Sequence, residues 1–185
     1  MRLLERVDEA LVVATFLRGE LASERFGSAL RDALAQAGAD ETLVTHAELD
    51  DAGANTKRRA VLAAYRGEYL GTNLDGLVWS RAELRPDEVL GIRYISWDYW
   101  LEITGGSRLP ADGAAYLRAR GEVLPIPNGA APLIVIRARP RARLVVVEGH
   151  LRLTALVQHA DHMPSRLDVL LGEGRQLRRW QLYEG

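Results

Sequence analysis

The residues best equipped for chemistry in this 185-residue chain stand together at Glu148-Gly149-His150-Leu151-Arg152, with Thr154 two positions on. Glycine has no Cβ, so Gly149 permits a tight turn and lets a ligand come close to the backbone. A helix that starts there presents first-turn N–H groups with no acceptor inside the helix, and such a terminus attracts anions. Arg152 can fork onto two oxygens of a phosphate, and Thr154 adds a hydroxyl where it faces the same side. The same residues also make an ordinary helix start, in which Glu148 favours the dipole, Gly149 makes the bend, and His150 and Arg152 are surface groups.

The flanking pattern supplies the elements that would position this turn. Arg143–Val147 is a short β-branched run suited to a buried strand, and Leu151, Leu153, Ala155, Leu156 and Val157 recur as the apolar side of a helix over 150–159. A strand therefore passes to a helix at Glu148-Gly149. Further strands are expected at Leu133–Ala138 and Arg166–Leu171, with Asn128-Gly129 as a turn and Gln176–Tyr183 as a terminal helix or strand.

Glu148-Gly149-His150-x-Arg152, read with its strand and helix from Val145 to Leu156, resembles the nucleotide-site motif of the ParB/sulfiredoxin-like superfamily. Supporting organisation extends from about Glu122 to Tyr183. Glu148 stands where that motif more often has Asp, and Leu151 takes a position that is often polar in the kinase-like members. The resemblance implies a small α/β (α+β) fold with a mixed sheet. It also implies a nucleoside triphosphate, ATP or CTP, bound with Mg2+ at Gly149, His150, Arg152 and Thr154. Arg152 would bear phosphate charge, His150 would donate a hydrogen bond, and Glu148 would be a direct or water-mediated metal ligand. Phosphoryl transfer to a small-molecule acceptor, or ATP hydrolysis, needs a carboxylate to orient the attacking oxygen. Glu148 and Glu122 are the candidates, since both lie near expected sheet ends. The alternatives are a nonenzymatic nucleotide-dependent module that binds DNA or a protein partner, and a nuclease.

The first 120 residues read as a helix-rich half wrapped on the 121–185 core in one compact unit, because no Pro/Ser-rich linker separates them. Helices are expected over 2–22, from residue 23 or 24 to 37, over 56–66 with Asn55 as N-cap, and near 112–120. The first two suggest an α-hairpin, which either pads the core or forms a homodimer surface. Residues 67–85 read as irregular, with turn signals at Gly67, Gly71, Asn73, Asp75 and Gly76. Tyr94, Trp97, Tyr99 and Trp100 cluster within seven residues and suit burial between helices better than base stacking, since no run of basic residues accompanies them.

Composition sets outer limits. Apolar residues at 48% and charged residues at 26% describe an ordinary globular protein, and a net charge of -1 gives no bulk attraction for nucleic acid. The absence of cysteine excludes disulfides, thiolate metal sites and sulfiredoxin chemistry. Ala10–Leu17 is too short to span a bilayer and acidic residues precede it, so a cytoplasmic location with no membrane partner is the expectation. Three further groups carry charge or ligating atoms. Arg137, Arg139, Arg141 and Arg143 alternate and would share one face of an extended hairpin, either as an anion surface or as a solvated face. Gly105-Gly106-Ser107-Arg108 is a loop bearing a cation without the spacing of a phosphate-binding fingerprint, and His159, Asp161 and His162 lack a zinc spacing.

Overall fold

A computed structural model of the chain describes residues 1–70, 74–126 and 131–183, apart from the side chains of residues 68 and 69. The expected turns at Gly71, Asn73 and Asn128-Gly129 lie outside the described residues. The chain forms two compact units, Val7–Asp75 and Met1–Arg6 with Gly76–Gly185. Residues 76–120, grouped with the helical half in the sequence reading, thus belong to the same unit as residues 121–185.

The Val7–Asp75 unit is helical. It contains α1 (Glu9–Leu21), α2 (Gly27–Gln36), α3 (Thr42–Thr45) and α4 (Ala52–Leu70). The Asp8 carboxylate accepts from Ala10 N at 2.8 Å and caps α1. Asp51, not Asn55, caps α4, accepting from Gly53 N at 2.8 Å and Ala54 N at 3.0 Å. Asn55 lies inside the helix and accepts from Arg58, whose guanidinium also donates to Leu43 O at 2.9 Å and Glu48 O at 2.7 Å. Arg58 is 1% exposed and serves as an interior anchor, possible because backbone carbonyls accept from its terminal nitrogens.

The second unit is built on a five-stranded mixed sheet. Its strands are β1 (Arg2–Arg6), β2 (Val78–Leu84), β3 (Leu133–Arg137), β4 (Val145–Glu148) and β5 (Leu167–Glu173), in the order β1-β2-β5-β3-β4. All neighbours run antiparallel except β3 and β5, which are parallel. The helices of this unit are α5 (Pro86–Leu90), α6 (Asp98–Ile103), α7 (Pro110–Ala119) and α8 (His150–Gln158). With 3-10 turns at Ala160–His162 and Arg175–Arg179, the described chain is an α+β protein with eight helices.

Two expectations fail at the edge of this sheet. The single helix over 2–22 divides into β1 and α1, because Asp8 stops the strand and caps the helix. Every residue of β1 is exposed, so no buried stripe marked it, and its strand state comes from pairing with β2. The irregular reading of 67–85 likewise misses β2, which pairs along its whole length with β5 from Val78↔Glu173 to Leu84↔Leu167.

Burial is deepest in the centre. All five residues of β3 are buried, as are Val145–Val147 and Val169–Gly172. Such runs, apolar on both faces, are characteristic of strands covered on two sides. Helices α7 and α8 pack on each other through elements that bury Ala114, Leu117, Leu153 and Val157. No described helix is long and apolar enough to cross a membrane.

Candidate functional site

Gly149 is the hinge on which the turn depends. Its φ is 93° and ψ 29°, a left-handed conformation that side-chain-bearing residues rarely adopt. A Cβ there would stand 2.5 Å from Leu133 Cδ2 and 2.8 Å from Arg152 Nη2. The close approach that glycine permits is therefore made by the protein's own side chains. From this point α8 begins, with Leu153 N donating to Gly149 O at 2.8 Å.

Glu148 and Arg152 come together across the first helical turn. Arg152 Nη2 donates to Glu148 Oε1 at 2.9 Å, and Nη1 donates to Ala131 O at 2.6 Å. The side chains are 20% and 13% exposed for Arg152 and Glu148, enough to remain reachable from solvent. The pair holds the guanidinium fixed beside the helix N-terminus, with its positive charge offset by the carboxylate. His150 packs its imidazole on Trp100, with centroids 5.0 Å apart and planes at 12°, and lies 6.0 Å from the ring of Tyr94. Tyr94 stacks on Trp100 in turn at 4.2 Å. The aromatic cluster thus includes a histidine from a different element, while Trp97 and Tyr99 are 46% and 41% exposed.

Thr154 does not join the anion site expected for it. It is fully buried, its hydroxyl donates to His150 O at 2.8 Å, and it lies 2.6 Å from Tyr94 Oη. A hydroxyl has one proton, so Tyr94 must be the donor of the second bond. Burial raises the pKa of the Tyr94 phenol, opposed by the Thr154 contact, and keeps it neutral. The helical period turned Thr154 inward, which spacing alone left open.

Glu122 is also separated from the turn. It is exposed and pairs with Arg120 at 3.1 Å, and its carbonyl accepts from Gln158 Nε2 at 3.0 Å. Gln158 ends α8, roughly 12 Å along the axis from His150 at 1.5 Å per residue. The two alternative candidates for the orienting carboxylate therefore sit toward opposite ends of one helix. His159 Nε2 contacts Leu124 O at 2.8 Å, an internal use for a side chain considered as a metal ligand.

The chain matches no protein-family model, curated protein or solved structure.

A second concentration of charge lies at the other end of β4. A cleft of about 430 Å3 is lined by Arg93, Arg108, Arg139, Arg143 and Arg178, together with Ala138, Ala142, Val145 and Tyr183. Arg93 is positioned by a parallel bridge to β4, its N–H donating to Leu144 O at 2.8 Å and its carbonyl accepting from Val146 N at 2.9 Å. Its Nη1 donates to Ser107 O at 2.8 Å. Arg108 is 3% exposed and donates from Nε to Tyr94 O at 2.7 Å and from Nη2 to Tyr183 O at 3.0 Å. Its φ of 62° costs about 1–2 kcal/mol for a residue with a Cβ. Burial lowers the pKa of Arg93, with Arg143 adding to the effect. Burial lowers that of Arg108 too, with Arg93 and Arg143 adding and Tyr183 opposing. Among the described residues none of the five lining arginines forms an ion pair.

Of the alternating arginines on the β3–β4 connection, only Arg139 and Arg143 reach this cleft. Arg137 pairs with Glu173 at 2.8 Å, and Arg141, at φ 67°, is exposed and not among the lining residues. The connection is not an extended hairpin, so the alternation does not put all four on one face. Arg93, Arg108 and Arg178 come from segments remote in sequence, and no local pattern could have grouped them.

Proposed function

We propose that this protein binds a nucleoside triphosphate at the Glu148–Arg152 turn, in the manner of the ParB/sulfiredoxin-like superfamily. The observation that carries the reading is the left-handed Gly149 joining β4 to α8, with Arg152 held at the helix N-terminus by Glu148. Backbone N–H groups and one guanidinium then face the same region, which suits phosphate oxygens. The turn also follows the strand-to-helix order on which the resemblance rests. Magnesium is usually held by one or two carboxylates and substrate phosphates, so Glu148 suits it as a single protein ligand. With both bound, Glu148 would hold the cation and Arg152 the phosphate, an exchange of partners within one pair. His150, stacked on Trp100, fixes the ligand-facing side of the turn.

Of the two alternative candidates for the orienting carboxylate, Glu122 lies away from the turn and Glu148 is engaged by Arg152, an arrangement that supports binding over phosphoryl transfer. A nucleotide-dependent regulatory or partner-binding module is therefore the reading adopted over a phosphotransferase.

Isothermal titration with ATP, CTP and their diphosphates, with and without magnesium, tests this. Saturable binding is expected, weakened about tenfold or more in Arg152→Ala, since a hydrogen bond to a charged group contributes about 1.5–3 kcal/mol. Equal affinity in the variant, or no binding by the folded wild type, overturns it.

A further inference from the structure

We infer that the five-arginine cleft at the Arg143 end of β4 is a second binding site, for a compact polyanion carrying two or more linked phosphate groups. The inference does not depend on the nucleotide reading of the Gly149 turn.

The cleft gathers Arg93, Arg108, Arg139, Arg143 and Arg178, and among the described residues no acidic one lines it. A solvated basic surface in a chain with 24 basic and 25 acidic residues would ordinarily interleave its charges. Elsewhere in this fold Arg2, Arg31, Arg59, Arg66, Arg81 and Arg85 each meet a carboxylate. Other arginines, Arg6, Arg18 and Arg25 among them, also form no ion pair among the described residues, but here five such arginines share one concavity. Like charges that weaken one another's protonation are costly to bring together, and an anion removes that cost. The fall in the Arg93 and Arg108 pKa values has burial as its main cause and the neighbouring arginines as the next.

The arginines are also of two kinds. Arg93 and Arg108 are pinned by Ser107 O, Tyr94 O and Tyr183 O, so their guanidinium groups form a fixed floor. Arg139, Arg143 and Arg178 are exposed at the rim and free of ion pairs among the described residues. A fixed floor and an adjustable rim allow forked contacts from several directions to one densely charged group. A volume of about 430 Å3 lies within the range of small-molecule sites. Five cations call for more charge than one carboxylate or one phosphate brings, which selects linked phosphates.

The test is titration of the full chain at low salt with tripolyphosphate, pyrophosphate, inorganic phosphate, citrate and an oligothymidylate, beside Arg143→Glu, Arg178→Glu and Arg152→Ala. Arg143 and Arg178 are suitable because among the described residues their side chains form no hydrogen bond or ion pair. The bond from Tyr183 Oη to Arg143 uses the Arg143 carbonyl. Expected is saturable tripolyphosphate binding, tighter than pyrophosphate and much tighter than phosphate, weakened about tenfold or more by each charge reversal and unchanged by Arg152→Ala. Loss in Arg152→Ala with persistence in Arg143→Glu places the phosphates at the turn and overturns the inference. So do tighter binding of citrate, binding of the oligonucleotide that tripolyphosphate does not displace, and absence of all binding in protein whose thermal transition shows it folded.

Discussion

The two ends of β4 handle charge in opposite ways. At the Glu148 end, one arginine meets one carboxylate at 2.9 Å and a backbone carbonyl at 2.6 Å, and the turn is neutral within itself. At the Arg143 end, five arginines share a cleft with no acid among the described residues. A ligand at the first end must exchange with a partner already present, whereas a ligand at the second relieves a repulsion already present. A motif resembling a known nucleotide turn therefore marks the end where an added anion would gain less Coulomb energy, and the larger gain would lie where no local motif is found. Coulombic affinity and sequence legibility are separate properties.

The largest effect should come from the neutral end. Gly149→Ala forces a Cβ into the left-handed region and against Leu133 Cδ2, at a cost of about 2–5 kcal/mol in denaturant unfolding. A loss under 1 kcal/mol would show that the turn relaxes easily, and the description of a fixed site would fail. Next comes Glu148→Gln, which leaves Arg152 an uncharged acceptor. About 1–2 kcal/mol of stability should be lost, since a charge-assisted bond becomes a neutral one. If the turn binds ATP, magnesium-free affinity should rise at the same time, because the competing anion is gone. Falling affinity with no magnesium present would break the exchange of partners proposed for the pair. A smaller change, about 1 kcal/mol, is expected for Tyr94→Phe, which removes one buried bond to Thr154 but leaves the bond from Thr154 to His150 O. Its nucleotide affinity should be unaltered if the aromatic stack, and not the phenol, positions His150.

Local pattern carried the sequence reading far in one half and little in the other. β3, β4, α8 and β5 fall within a few residues of their expected places because each is a short element with buried apolar residues, which is what hydrophobic periodicity detects. β1 escaped because its five residues are all exposed, and Leu3 and Leu4 mimic one face of the helix that in fact starts at Glu9. The Glu148–Arg152 pairing is legible from an i, i+4 spacing. The inward turn of Thr154 is not, since it depends on Tyr94, sixty residues away in the chain. Arg108 shows the same limit: a glycine-rich loop announces flexibility, yet its arginine is buried by bonds to Tyr94 O and Tyr183 O. Tertiary acceptors decide which cations are structural, and a sequence names the donors without their acceptors.

The smallest effect bears most directly on the charged end. Ala142 lines the cleft, is half-buried and makes its backbone bond to Arg139 O at 3.0 Å, so a longer side chain there leaves the chain path intact. Ala142→Glu supplies a carboxylate, which the five arginines lack among the described residues. If their repulsion is a real cost of folding, the variant should be more stable by about 0.5–1 kcal/mol at low salt, or about 1–4 °C in Tm. The gain should shrink as ionic strength rises and the Debye length shortens. Tripolyphosphate affinity should fall in parallel, because the introduced carboxylate fills the role of the ligand. A variant with unchanged stability but weakened anion binding would mean that solvent already screens the arginines from one another. The contrast between the two ends of β4 would then be one of available donors and not of stored repulsion.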